Sequence, residues 1–280
     1  MSYRIEITAD TLAELAGKAA SLAAKLNTPD QGVSVEQPTA PIAAFLKLGA
    51  LKEKLDQELA EAARWFDSHR DVKVVVVSGA GRSFSAGFDL ADFSTPDPEW
   101  SVRDTADLGR VMAEAVTDMR ALTIAAIHGH CVGGGLVLAA SCDLRIATSD
   151  VRFSIPEVDL GIPLAWGGIP RLVREIGPAA TKELVLTCRP FGADEAKELG
   201  FVNTIVAPSD LAAHVDALAS ELAAKPGYAL RTTKQQVNAV TEEIAGTRRN
   251  AADADALVFA TYDAESREAS ARYLTQKRSK

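Results

Sequence analysis

Residues 123–135 read Thr-Ile-Ala-Ala-Ile-His-Gly-His-Cys-Val-Gly-Gly-Gly, an apolar run that leads into a glycine-rich turn. The run shows no polar alternation, which is typical of a strand covered on both faces. Three consecutive glycines let a ligand approach the backbone closely, and the small apolar residues 136–141 predict a helix whose first N–H groups are unpaired. The stretch therefore predicts a buried strand, a binding turn and a helix N-terminus in succession.

A second turn of the same kind lies earlier in the chain. Residues 72–78 (Val-Lys-Val-Val-Val-Val-Ser) form a β-branched run, and residues 79–90 (Gly-Ala-Gly-Arg-Ser-Phe-Ser-Ala-Gly-Phe-Asp-Leu) follow directly. Gly87 can adopt backbone angles that other residues resist, so this turn could aim the N–H of Phe88 at a ligand. Because turns after adjacent parallel strands meet at one edge of a sheet, we expect both turns to form one site.

Helical and extended patterns alternate around these turns. Apolar residues at three- and four-residue steps predict helices, and short β-branched or alternating runs predict strands. The alternation indicates an α/β fold with parallel strands and right-handed crossovers, whose terminal helices cover the body or a neighbouring subunit. The predicted helices cover residues 11–26, 51–66, 105–122, 211–222, 230–244 and 256–276, and further strands cover residues 3–8, 33–35, 42–46 and 144–147.

The composition excludes several classes of protein. The chain has 280 residues, 47% of them hydrophobic and 24% charged, with a net charge of −8 and no basic stripe, which argues against nucleic-acid binding. No apolar run reaches the ~18 residues of a membrane span, and no secretory signal is evident. Cys131, Cys142 and Cys188 are odd in number and far apart, which argues against disulfides and CxxC metal sites. We therefore expect a cytoplasmic protein without a metal, flavin or nicotinamide site.

Several motifs occur in the order and at the spacing of one known family. They are residues 82–90 (Arg-Ser-Phe-Ser-Ala-Gly-Phe-Asp-Leu), the glycines 133–135, residues 142–147 (Cys-Asp-Leu-Arg-Ile-Ala), residues 153–161 (Phe-Ser-Ile-Pro-Glu-Val-Asp-Leu-Gly) and residues 193–203 (Ala-Asp-Glu-Ala-Lys-Glu-Leu-Gly-Phe-Val-Asn). Together they resemble the enoyl-CoA hydratase/isomerase (crotonase) family over roughly residues 42–280. The resemblance implies a spiral of βαβ units, an acyl-CoA substrate with no cofactor beyond its CoA, and a homotrimer or homohexamer.

The resemblance also assigns roles to individual residues. In the family, two backbone N–H groups form an oxyanion hole for the thioester oxygen of the enolate, and the matching residues here are Phe88 and Gly134. Two fixed donors suit a reaction in which negative charge develops on that oxygen. By the same match, the residues expected to contact substrate or CoA are Ala86, Asp89, Leu90 and Gly133.

The resemblance favours one reaction within the family. Its hydratases hold a water molecule between two glutamates, and here the first position is Val137 and the second is Glu157. Valine cannot ionise or orient water, so we expect Val137 to line the acyl pocket instead. A single glutamate suits proton transfer between the α- and γ-carbons, and partial burial raises the pKa of a carboxyl towards the useful range. Glu157 is therefore the predicted catalytic residue of a double-bond isomerase.

The motifs also bear on other side chains near the predicted site. The family's dienoyl-CoA isomerases need further carboxylates, one of them at the position of Ala165, so that subtype is not expected. Asp159 shares a face with the glutamate only if its segment is a regular strand. His128 and His130 are expected to be structural, and Trp166 fits either the acyl pocket or core packing.

The amino-terminal part departs from the family pattern. The family's Asn-Arg-Pro element is absent from residues 45–51, where Lys47 is the candidate basic contact to CoA. Lys234 resembles a helix lysine that approaches CoA phosphate, and a solvated lysine is the alternative. We predict an N-terminal extension over residues 1–32, an α/β core over residues 33–205, and a helical trimerisation or lid region over residues 206–280.

Three functions remain open on the sequence. The first is a single-glutamate isomerase, or a related enolate reaction on acyl-CoA. The second is a hydratase, or another lyase or hydrolase on CoA thioesters, with a second base that the motifs do not identify. The third is a non-catalytic acyl-CoA-binding protein, because a fold alone does not fix a function.

Overall fold

The computed structural model of the chain describes residues 4–8, 42–48, 53–87, 101–247, 250 and 252–278, with side chains between residues 59 and 276 of these ranges. Its main sheet has six strands, and all neighbouring pairs are parallel. In their order across the sheet, the strands are β1 (Arg4–Thr8), β2 (Ile42–Leu48), β3 (Val72–Gly79), β4 (Leu122–Ile127), β6 (Leu144–Thr148) and β9 (Thr204–Val206).

A small second sheet lies beside the glycine turn. It contains β5 (His130–Val132), β7 (Arg152–Ser154) and β8 (Phe191–Gly192), with β5 and β7 parallel and β7 and β8 antiparallel. These strands are two or three residues long, too short to show a periodic pattern in the sequence. The structure thus adds strands β5, β7, β8 and β9, which the sequence analysis does not predict.

Five of the described helices lie within four residues of their predicted limits, whereas the helices Gly168–Thr187 and Ala193–Glu198 were not predicted. In chain order, the described helices are α1 (Glu53–Ser68), α2 (Val102–Asp118), α3 (Gly134–Ser141), α4 (Gly168–Thr187), α5 (Ala193–Glu198), α6 (Leu211–Ala224), α7 (Gly227–Ile244), α8 (Ala252–Tyr262) and α9 (Ala264–Arg278). The helix predicted over residues 256–276 is two helices, because Asp263 interrupts it and its carboxylate accepts a hydrogen bond from the N–H of Ser266 at 2.8 Å. Such a cap begins a new helix. The helix predicted over residues 11–26 and the strand over residues 33–35 lie outside the described residues.

Both faces of the central sheet are buried, as the unbroken apolar strands predicted. Successive side chains of a strand point to opposite faces. On one face, Val75 and Val77 pack in the larger core cluster with residues of α1, α2, α3 and α4. On the other face, Val74 and Val76 pack against α6 through Val215 and its neighbours. Burying a valine side chain contributes ~1.5–3 kcal/mol, so this packing fixes the strands whose ends carry the two turns.

The fold class is confirmed as α/β with a parallel sheet and a C-terminal helical region. The domain limits stay a prediction, although β1 pairs with β2 and so joins the main sheet. All three cysteines are free and buried, as expected. Among the described residues, none of the helices combines the length and apolar character required to cross a bilayer.

Candidate active site

The two glycine-containing turns lie side by side, as their positions in the sequence predicted. The N–H of Phe84 donates to the carbonyl of His128 at 2.8 Å, and the N–H of Ser85 donates to that of His130 at 3.0 Å. Val132 returns a hydrogen bond to the carbonyl of Ser85 at 3.0 Å. Gly135 also packs closely, since a Cβ there would lie 2.4 Å from the Cβ of Ser85. The first turn therefore continues alongside the second and meets it at one edge of the sheet.

The second turn leads directly into α3. Gly133 has φ 52° and ψ −118°, a conformation that side-chain-bearing residues rarely adopt, and it precedes the first residue of the helix, Gly134. The N–H of Gly133 donates to the carbonyl of Ser154 at 3.0 Å, whereas that of Gly134 donates to no residue that the structure describes. Gly134 thus presents an unpaired N–H at a helix N-terminus, where the helix dipole favours negative charge.

Glu157 lies on a tight turn that the last helix supports. Within this turn, the N–H of Ile162 donates to the carbonyl of Glu157 at 2.9 Å. Gly161 has φ 74°, and a Cβ there would lie 2.4 Å from the carbonyl oxygen of Ser266 in α9. The hydroxyl of Ser270, also in α9, donates to the carbonyl of Leu160. Helix α9 therefore holds in place the backbone that presents Glu157.

The carboxyl group of Glu157 lies against the second glycine turn. A Cβ on Gly133 would be only 2.4 Å from its Oε1 atom. The residue is partly exposed as a whole, but its Oε2 atom is buried and has no hydrogen-bond partner among the described residues. Burial raises the pKa of Glu157 to about 7, although a hydrogen bond with its own backbone lowers it slightly. Near neutral pH this carboxyl can therefore both accept and donate a proton.

Glu157 lines a cavity of about 70 Å³ that lies between the two turns and the C-terminal helices. Its wall brings together most of the residues predicted for the site and several that were not predicted. The predicted lining residues are Ala86, Gly133, Gly134, Val137, Glu157 and Trp166, and the others include Gly87, Val132, Leu160, Ile162, Leu164, Leu257 and Tyr273. The site is mainly apolar, which suits the acyl part of a thioester.

Other residues predicted for the site lie away from the cavity or outside the described part of the chain. Phe88, Asp89 and Leu90 lie outside the described residues, so the second oxyanion donor and these CoA contacts stay predictions. The structure gives only the backbone of Lys47, in β2. Asp159 is exposed and does not line the cavity.

The two histidines of the second turn also do not line the cavity. The Nε2 atom of His128 is 3.0 Å from the carbonyl of Gly81, and the Nδ1 atom of His130 is 3.4 Å from the hydroxyl of Ser83. Both histidines therefore link the two turns to each other, a structural role like the one expected.

The assignment of Lys234 to a CoA phosphate is not supported and needs correction. Its side chain is 4% exposed, and its ammonium lies 2.8 Å from a carboxylate oxygen of Asp143. The same ammonium donates to the carbonyl of Ala121 at 3.0 Å. A buried charge must be paired, and these internal contacts leave Lys234 neither solvated nor available to a phosphate. The lysine ties α7 to the end of the sheet opposite the cavity-lining turns.

Sequence reasoning missed Tyr273, a cavity residue of α9. It lines the cavity together with Glu157. Burial raises the pKa of its phenol, and the charges of Asp159 and Glu157 raise it further. No motif identifies this residue, because its role depends on how α9 docks across the turn. The aliphatic Leu257 of α8 reaches the cavity in the same way.

Comparison with known proteins decides the family. The sequence profile described as enoyl-CoA hydratase/isomerase matches residues 46–280. The chain belongs to this family. Among solved structures, an enoyl-CoA hydratase/isomerase from Mycobacterium paratuberculosis superposes with a TM-score of 0.72 at 26% identity, covering 80% of this chain and 89% of that one.

Relatives within the enoyl-CoA hydratase/isomerase family carry different activities in their names. A crotonyl-CoA hydratase of Syntrophomonas wolfei is 35% identical over 218 residues, which is 77% of this chain and 84% of the relative. A peroxisomal Δ(3,5)-Δ(2,4)-dienoyl-CoA isomerase of Arabidopsis thaliana is 36% identical over 199 residues, 67% of this chain and 72% of the relative. Family membership therefore places the chain among enoyl-CoA hydratases and isomerases, and it does not distinguish between these activities.

Proposed function

We propose that this enzyme moves a carbon–carbon double bond of an enoyl-CoA from the 3- to the 2-position, with Glu157 as the only proton carrier. The observation behind the proposal is that Glu157 is the one carboxyl group among the described residues that line the cavity. Val137, at the position of the hydratases' first glutamate, lies in α3 and is 1% exposed. The described cavity thus offers a base but no second carboxylate to hold water.

The proposed reaction begins with proton removal at the α-carbon. The thioester oxygen accepts a hydrogen bond from the N–H of Gly134, and the amide of Phe88 is the proposed second donor. The Glu157 carboxylate takes the α-proton, and the electron pair of the C–H bond passes into the carbonyl to give a dienolate. One oxyanion donor of this kind is worth about 3 kcal/mol in the transition state.

The second half of the proposed reaction returns the same proton. The carboxyl of Glu157 protonates the γ-carbon, the electron pair returns from the oxygen, and the double bond becomes conjugated with the thioester. A group whose pKa is about 7 has little preference for either state at neutral pH, which suits a carrier that must both take and release a proton. One proton moves and no group beyond the CoA of the substrate takes part.

Water addition is the second candidate, since the Syntrophomonas relative is named a crotonyl-CoA hydratase. It requires a base or hydrogen-bond acceptor for water beyond Glu157. Tyr273 also lines the cavity near the glutamate. Its phenol oxygen can accept a hydrogen bond from water, but a phenol with a raised pKa is a poor base.

The test is a pair of assays on the purified enzyme. We expect conversion of 3-hexenoyl-CoA to 2-hexenoyl-CoA, followed as a gain in the ultraviolet absorbance of the conjugated thioester. Loss of the absorbance of crotonyl-CoA through hydration is expected to be at least about 100-fold slower in kcat/KM, by the typical worth of one acid–base group. Hydration at a rate equal to isomerisation would reject the proposal in favour of the second candidate. Binding without either reaction would indicate the non-catalytic alternative.

We further propose that the enzyme works in the cytoplasm as a homotrimer or homohexamer. The C-terminal helices support the assembly, because large apolar residues on them are exposed that a partner subunit would cover. These residues are Tyr228, Val237, Val240, Ile244, Phe259 and Tyr262. The three free, buried thiols suit a reducing compartment. Sedimentation equilibrium is expected to give three or six times the chain mass, and a monomer at micromolar concentration would contradict the assembly.

A further inference from the structure

Trp166 fills a slot between two glycines on different helices. A Cβ on Gly109, within α2, would lie 1.9 Å from Cδ2 of the indole, and a Cβ on Gly134, at the start of α3, would lie 2.1 Å from its Cζ3. Glycine in a helix interior costs about 0.5–1 kcal/mol relative to alanine. The ring therefore occupies space that only side-chain-free backbone leaves open on both sides.

The backbone around Trp166 fixes the position of the ring. Trp166 has φ 61°, a left-handed conformation that is unfavourable for a bulky residue. The next residue, Gly167, donates its N–H to the carboxylate of Asp253 in α8 at 2.8 Å, and Gly168 donates to the carbonyl of Ala165 at 2.9 Å. These contacts hold the backbone on both sides of the strained residue, and Gly109 and Gly134 confine its ring.

The same ring forms part of the cavity wall next to the reacting groups. Trp166 is only 9% exposed, and it lines the cavity together with Glu157 and Gly134. Leu164 and Leu257 also line this cavity. The cavity has a volume of about 70 Å³. A water molecule takes up about 30 Å³ in the liquid, and a methylene group is of similar size, so the cavity holds only a few such groups.

We propose that Trp166, locked between Gly109 and Gly134, closes the acyl end of the cavity and restricts the enzyme to short-chain acyl-CoA thioesters. This inference rests on the proposed function, since it assumes that the acyl group enters the cavity beside Glu157. An acyl group of roughly four to six carbons fits before the indole, and a longer chain would have to displace the ring from its slot.

The test is binding of unreactive saturated thioesters, measured by calorimetry. The wild-type enzyme is expected to bind butanoyl-CoA at least tenfold more tightly than decanoyl-CoA. Trp166→Ala removes the wall and is expected to reverse this order. Gly109→Ala is expected to push the indole towards the cavity. This variant should therefore bind both thioesters, including butanoyl-CoA, more weakly than the wild type does. Gly81→Ala is the matched control, because nothing lies within 4 Å of a Cβ at Gly81.

Thermal melts followed by circular dichroism show which variants fold. If Trp166→Ala does not fold, Trp166→Phe, which has a smaller ring, takes its place in the test. An intermediate preference in the phenylalanine variant supports the proposal. Equal affinity of the wild type for both thioesters, or an unchanged ratio in a folded Trp166 variant, would overturn it while leaving the proposed reaction intact. If the chain-length preference is present but no isomerisation is detected, the proposed reaction fails and this inference stands. No binding of any thioester would overturn both.

Discussion

Glu157→Gln is expected to lower kcat/KM for double-bond isomerisation by about 10²- to 10⁴-fold, because an amide can neither take the α-proton nor return it to the γ-carbon. Binding of butanoyl-CoA is expected to change little, since the amide has nearly the same shape. Stopped-flow absorbance gives the rate and calorimetry gives the affinity. Asp159→Asn is the matched control, because Asp159 is an exposed carboxylate two residues along the same turn and does not line the cavity.

The pH dependence provides a second signature of Glu157. Since burial raises its pKa to about 7, kcat/KM of the wild type is expected to fall as the pH drops through that value and protonates the base. The raised pKa also means that the folded protein binds this proton more tightly than the unfolded chain does. The buried negative charge of Glu157 therefore destabilises the folded protein increasingly as the pH rises from 4.5 to about 7.

The stability of Glu157→Gln relative to the wild type should accordingly improve as the pH rises through that window, as measured by urea denaturation at pH 4 and pH 8. If Glu157→Gln folds and keeps full activity, Glu157 is not the proton carrier. Lost activity with no pH-dependent change in relative stability would show that the carboxyl is not buried as described.

Gly133→Ala is expected to reduce kcat/KM by at least about 100-fold, the typical worth of one acid–base group. The new Cβ would lie 2.4 Å from Oε1 of Glu157, so the carboxyl must leave its place beside the turn. The positive φ of Gly133, 52°, adds backbone strain of about 1–3 kcal/mol. The variant is expected to fold with a lower melting temperature.

Gly177→Ala separates the two effects of this substitution. Gly177 also has a positive φ, 77°, but nothing lies within 4 Å of a Cβ there, and the residue is in α4 away from the cavity. It is expected to lose a similar amount of stability in thermal melts and to keep its kcat/KM. Equal losses of activity in both variants would show that strain, and not displacement of Glu157, explains the effect.

The sequence was most informative where local pattern and local structure coincide. The β-branched run at residues 72–78 predicted a strand covered on both faces, and Val74 and Val75 do pack on opposite sides of the sheet. The glycines 133–135 predicted a turn with a free N–H before a helix, and the N–H of Gly134 donates to none of the described residues. In these cases the physical reason is contained within a few consecutive residues.

The remaining parts of the site depend on contacts between distant segments. Tyr273 reaches the cavity only because α9 packs against the turn at Gly161, and no periodicity records that contact. Lys234 matched a family position, but its ammonium pairs with Asp143 across the fold. One local feature outside the site was also missed. The spacing of apolar residues continues through Asp263, so it does not reveal the cap that divides the terminal helices there.

The support that α9 gives to the turn at residues 157–162 has a consequence for biosynthesis. Glu157, the proposed general acid–base group, is encoded in the middle of the chain, but its scaffold includes Ser266 and Ser270, which the ribosome adds much later. A nascent chain can complete the central sheet before α9 emerges, yet it lacks the contact that orients Glu157. We therefore expect catalytic activity to arise only after α9 has been synthesised and has packed against this turn, so that the rate of turnover reports whether α9 is intact.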